Sequence, residues 1–140
     1  MALKMDRAAL QAFLDSRFEQ VAQDIAVEEV GPMEIRVRLR VRERNLRPGG
    51  TVSGPAMFSL ADVAVYLAIL AMIGPVELAV TTSASIDFMR KPEAGRDLIG
   101  EARLLKLGRM LAVGDVLIRS EGSEAIVARA SLTYAIPPDH

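Results

Sequence analysis

The chain has no cysteine, and its only histidine is the final residue, His140. Without cysteine there is no disulfide scaffold, no thiolate metal site and no thiol nucleophile, and a reducing compartment suits such a chain. With no usable imidazole either, histidine catalysis is effectively excluded and no metal site is expected. Charge of one sign is lacking too: 17 Lys and Arg oppose 18 Asp and Glu, for a net charge of -1. These charges are scattered and form no basic stripe of the kind that phosphate backbones require. Aromatics, at 4% of residues, offer little for base stacking, so nucleic acid is not an expected partner. The first residues also lack an uninterrupted apolar run, because Lys4, Asp6, Arg7, Asp15, Arg17 and Glu19 break it. No signal peptide is read there, and the expectation is a cytoplasmic protein that does not enter a membrane.

What the chain does have is apolar bulk. Its 140 residues, 51% of them hydrophobic, suit one domain spanning 1–140 with a sizeable core. The most apolar stretch runs from Pro55 to Ile73 and holds a single charge near its middle, Asp62. A carboxylate removed from water costs several kcal/mol unless it is paired, so a sequence that keeps one there has a structural partner or a chemical task for it. Hydroxyls such as Ser59, or backbone donors at a subunit contact, would serve the structural role. A membrane span is nearly long enough here, but the central Asp62, the leading Pro55 and the strand-like segments elsewhere favour a buried soluble helix.

Leu10, Phe13, Leu14, Phe18, Val21 and Ile25 fall at helical spacing and predict an amphipathic helix over roughly 6–24. Residues 33–41 alternate apolar and charged side chains, the pattern of a strand with one face buried. A polar, glycine-rich connection then leads to Ser53-Gly54-Pro55, where a cap and an N-terminal proline start the long helix that Gly74-Pro75 ends. Four further strands are expected over 78–89, 97–106, 109–119 and 125–136. Short turns at 92–95, 107–108 and 121–123 would make them antiparallel neighbours in a meander. Residues 137–140 form a terminal stub. The fold class is α+β: an antiparallel sheet of five to six strands curled around one enclosed helix, with an N-terminal helix added.

Three ordered segments carry a resemblance. They are Gly50-Thr-Val-Ser-Gly-Pro-Ala-Met-Phe-Ser-Leu-Ala-Asp62, Ser85-Ile-Asp-Phe-Met-Arg-Lys-Pro92 and Leu107-Gly-Arg109. Together they resemble the hotdog-fold acyl-CoA thioesterases, in particular the phenylacetic-acid-degradation (PaaI-like) branch, over about Met33 to Ile136. The resemblance implies a hydrolase that cleaves an acyl- or aryl-acyl-CoA to free acid and coenzyme A. It needs no cofactor, since coenzyme A is part of the substrate. In such a protein the backbone N–H of Gly54 would meet the thioester oxygen and Asp62 would serve as base or nucleophile. Thr81, with Thr82 and Ser83 as alternatives of register, would position the attacking water. Arg90, Lys91 and Arg109 would meet the coenzyme A phosphates, with Arg96 and Lys106 nearby. Gly54 and Asp62 stand about 12 Å apart along one helix, too far to share a carbonyl, so the resemblance also implies a homodimer, or a tetramer of two dimers, that combines them across subunits. The chain departs from the family pattern at Ser53, where the family has histidine, at Pro55, its second glycine, and at Arg47, the ungapped match to a family asparagine, with Asn45 nearby. A hydratase of the same fold would need an Asp and His pair that is absent. The alternative function is a non-catalytic acyl-CoA or lipid-binding module.

Overall fold

The computed structural model describes residues 2–138, so Met1 and residues 139–140, including His140, lie outside it. Helix α1 (Arg7–Arg17) starts where the Asp6 side chain accepts a hydrogen bond from the Ala9 N–H at 2.9 Å, and it buries Leu10, Phe13 and Leu14. It is shorter than its periodicity suggests. The chain leaves helical geometry at Phe18, forms the single turn α2 (Glu19–Ala22), and then extends into strand β1 (Ile25–Gly31). Ile25 is therefore the first residue of a strand, not the end of a helical stripe. Over so short an apolar run the two periodicities coincide, and inward-facing Ile25 and Val27, both β-branched, favour the extended form.

The remaining elements are β2 (Glu34–Leu39), a 3-10 turn (Glu43–Asn45), the long helix α3 (Gly54–Ile73), β3 (Val80–Phe88), β4 (Leu98–Leu107), β5 (Leu111–Ser120) and β6 (Ile126–Ala135). They build one six-stranded antiparallel sheet in the order β1-β2-β4-β5-β6-β3. The hairpins β4–β5 and β5–β6 are as the turn residues suggest. The meander is not: β3 lies at the far edge, paired with β6, and the segment around Pro92 is a crossing rather than a hairpin turn. The link 89–97 can reach about 30 Å when extended, ample to pass the roughly 14 Å that separates three strand positions.

Helix α3 lies against the sheet and touches all six strands. Among the described residues it is the one helix long and apolar enough to cross a bilayer, yet 72% of its most apolar window is inside the fold. A helix with no polar side requires such a sheath. Close approach is permitted by glycine on the facing strands. A Cβ at Gly114 of β5 would sit 3.1 Å from both γ-methyls of Val65 and 3.3 Å from Leu104 Cδ2, all on buried side chains that cannot retreat. Gly114→Ala is expected to destabilise the protein by about 1–3 kcal/mol, measured by urea unfolding, with far-UV circular dichroism unchanged.

Candidate active site

The start of α3 leaves one amide unspent. Ser53, in extended conformation, accepts from the Ala56 N–H through its hydroxyl at 3.2 Å and from the Met57 N–H through its carbonyl at 3.1 Å. Pro55 has no N–H. Of the donors that a helix start normally leaves unpaired, only that of Gly54 has no acceptor among the described residues. The helix dipole adds partial positive charge at this point. Glycine relieves crowding here in two ways: a Cβ would stand 3.3 Å from the tip of the half-exposed Phe88 ring, and a side chain in helical geometry directly before proline is crowded by the proline Cδ.

The approach to this helix start is pinned by a buried asparagine. Asn45 Oδ1 accepts from the Arg42 N–H at 2.7 Å, and the Asn45 carbonyl accepts from the Ser53 N–H at 2.8 Å. Between them, Leu46 and Val52 form an isolated bridge, and Arg47 N–H donates to the Thr51 carbonyl at 2.9 Å. Gly49 and Gly50 turn the tip at φ 104° and 83°. Asn45 thus holds the loop, and Arg47 is exposed near its tip. Asp24 fastens the other side, accepting from Arg44 Nε at 3.2 Å and Asn45 Nδ2 at 3.5 Å, with Arg42 Nε 3.3 Å away. Burial alone would raise the Asp24 carboxyl, but the hydrogen bonds from Arg44 and Asn45 and the two guanidinium charges outweigh it and hold the group below its ordinary value.

Asp62 is half-buried, two turns along α3. Its Oδ1 accepts from Thr81 Oγ1 at 2.5 Å and lies 2.7 Å from the Tyr134 hydroxyl, which is also 3.0 Å from the Asp62 backbone carbonyl. Thr81 and Tyr134 are directly opposed in the β3–β6 ladder, beside a bulge between Thr81 and Ser83 that turns Thr81 inward while Thr82 and Ser83 stay exposed. Ser59 is exposed and does not pair with Asp62. Tyr134 is buried, and both that burial and the neighbouring Asp62 charge push its hydroxyl well above the ordinary tyrosine value, so it stays protonated as a donor. Tyr134 escapes a sequence reading. The only signal is an aromatic with a polar tip at an inward position of the last strand, which must find a partner.

The basic residues do not converge within one chain. Arg90 and Lys91 follow Phe88, where the Met89 and Arg90 amides donate to the Val127 carbonyl at the start of β6. Arg109 lies in the β4–β5 turn, beside the opposite end of β6, where Ile136 N–H donates to the Met110 carbonyl. The length of β6 thus separates them. Gly54, Phe88, Arg90 and Lys91 share one end of the molecule. Thr81, Tyr134 and Arg109 share the other, with Asp62 joined to them by its hydrogen bonds.

Residues 49–127 match the thioesterase superfamily. The chain belongs to that family. A Pseudomonas aeruginosa protein with a provisional esterase name is 32% identical over 101 residues, 72% of this chain and 74% of its own length. Among solved structures, a provisionally named thioesterase from Silicibacter superposes with a TM-score of 0.92 at 59% identity, covering 99% of this chain and 96% of that one. The phenylacetic acid degradation protein PaaI from Thermus thermophilus, solved in a mutant form, gives 0.72 at 31% identity, covering 85% and 98%. The curved sheet around a central helix is accordingly the hotdog fold, and the PaaI-like resemblance holds.

Because Asp24 is held below its ordinary value, it contributes stability that is complete above the unfolded carboxyl value and is lost as pH falls through the folded one. The stability gap between wild type and Asp24→Asn, measured by urea unfolding, is expected to be largest near neutrality and to shrink once pH drops below about 4. A gap that stays constant into stronger acid would contradict this.

Proposed function

We propose that this protein hydrolyses the thioester of an acyl- or aryl-acyl-CoA at a site shared by two copies of the chain. The observation that carries the reading is the single unspent amide of Gly54 at a helix start, set two turns from a half-buried carboxylate on the same helix. In the reaction, Asp62 takes a proton from water as the water oxygen bonds to the thioester carbon. The carbonyl oxygen becomes an oxyanion facing the Gly54 N–H. Collapse of this intermediate breaks the C–S bond, and the departing thiolate of coenzyme A receives the proton from Asp62. Direct attack by Asp62, giving an anhydride that water then opens, uses the same groups.

The two-fold arrangement is supported by strand β3. It is an edge strand with one ladder partner, β6, and its Val80 and Phe88 are each 52% exposed. A nine-residue edge with unpaired backbone groups and an exposed apolar side chain at each end is normally covered. Antiparallel pairing of β3 with the same strand of a second copy would place opposite ends of two molecules together. The Asp62 end of one, with Arg109, would then meet the Gly54 end of the other, with Arg90 and Lys91. Each composite site would hold a base, an oxyanion donor and three cations for phosphates, a full set that one chain does not bring together alone.

With thiol release from an acyl-CoA panel as the readout, Asp62→Asn is expected to lower kcat/KM about 100-fold or more. Unchanged turnover would refute the mechanism, and tight acyl-CoA binding without thiol release from wild type would instead identify a non-catalytic binding module. Sharing is tested by complementation. Asp62→Asn and Gly54→Pro chains, the second lacking the amide itself at a first helical position that tolerates proline, should each be impaired alone and regain a substantial fraction of wild-type activity when co-expressed, since a mixed dimer rebuilds one intact site. Absence of recovery in a mixed dimer verified by mass would place both groups in one chain's site.

A further inference from the structure

We infer that Tyr134 is a positioning residue which, with Thr81, holds one oxygen of Asp62 and thereby assigns the reacting role to the other. The inference rests on the thioesterase reading above and extends it from the residue to the atom. Both hydroxyls converge on Oδ1, at 2.5 Å from Thr81 and 2.7 Å from Tyr134, within the range of hydrogen bonds to an ionised carboxylate. Tyr134 has one proton and two acceptors in reach, and the charged, nearer Oδ1 prevails over the backbone carbonyl at 3.0 Å. No hydrogen bond is made to Oδ2 among the described residues. A carboxylate on a helix swings freely about its side-chain torsions unless something stops it, and reacting groups lose rate steeply when their direction is not fixed.

The fold makes this clamp stiff. Thr81 and Tyr134 are a cross-strand pair, so the ladder fixes the spacing of their two hydroxyls, and the bulge after Thr81 aims its side chain at α3. The Tyr134 ring is itself wedged: it lies 6.1 Å from the Tyr66 ring, which stands 6.2 Å from both Phe13 and Phe18. Tyr66 is locked in turn by donating from its hydroxyl to the Glu77 carbonyl at 3.1 Å. The N-terminal helix, through Phe13, therefore reaches Asp62 by way of packed rings, although none of its residues hydrogen-bonds to the carboxylate.

Tyr134→Phe keeps the ring and its packing and removes only the hydroxyl. It is expected to lower kcat about tenfold or more while KM changes less than about twofold. Thr81→Val should act in the same direction, and it serves as the probe if the first variant does not fold. An unchanged kcat, or a loss carried by KM alone, would overturn the proposal. A crystal structure of the same variant gives a readout independent of turnover: the Asp62 side chain should rotate or spread over two conformers, and an Asp62 held as in wild type would overturn the clamp. Should wild type hydrolyse no acyl-CoA while Asp62 still loses its orientation in the variant, the clamp stands and the thioesterase reading fails.

Discussion

The structure depends on enclosing a helix that has no polar side. Helix α3 carries one charge in twenty residues, and its stability comes from a sheet that touches it with all six strands. That demand sets the rest of the sequence. Strands β2, β4, β5 and β6 alternate so that one face is apolar, and glycines stand where helix and strand come closest. Enclosure gives way at the final residue, Ile73, and along the first two turns, from Gly54 through Phe58 and Ser59 to Asp62, and this second stretch is the one with chemistry to offer.

Both ends of that stretch are built by elimination. At the helix start, the Ser53 hydroxyl and carbonyl use two amides and Pro55 removes a third, so one donor remains. At Asp62, two hydroxyls occupy one oxygen, leaving the second without a protein partner among the described residues. A general surplus of donors and acceptors would bind water or ions indiscriminately. On the proposed reading, reducing each to one would give a thioester a single orientation to adopt.

Much of this was legible in the sequence because it follows from local rules. Ser53-Gly54-Pro55 announces a helix start, Gly74-Pro75 its end, and the lone Asp62 stands out against its apolar neighbours. The alternation in 33–41 marks a strand without ambiguity. What could not be read was set by partners distant in sequence. β3 pairs with β6 rather than with its neighbour β4, because the nine-residue link suits a hairpin or a crossing equally and only the packed sheet decides. β1 was hidden by a run of apolar residues too short to distinguish two periodicities. Tyr134 was hidden for the same reason as the pairing that brings it to Thr81, and the division of the basic residues between two ends of the molecule follows from that pairing as well.

The late position of β6 has a consequence for biosynthesis. Thr81 leaves the ribosome more than fifty residues ahead of Tyr134, its ladder partner, so β3 has no neighbour to bind within its own chain until translation is almost finished. During that interval the bulge that aims Thr81 at α3 does not exist either, and a nascent chain interrupted before β6 would leave both edges of β3 unpaired. The pairing that finishes the sheet is also the one that orients the acid, and an incomplete chain cannot acquire one without the other.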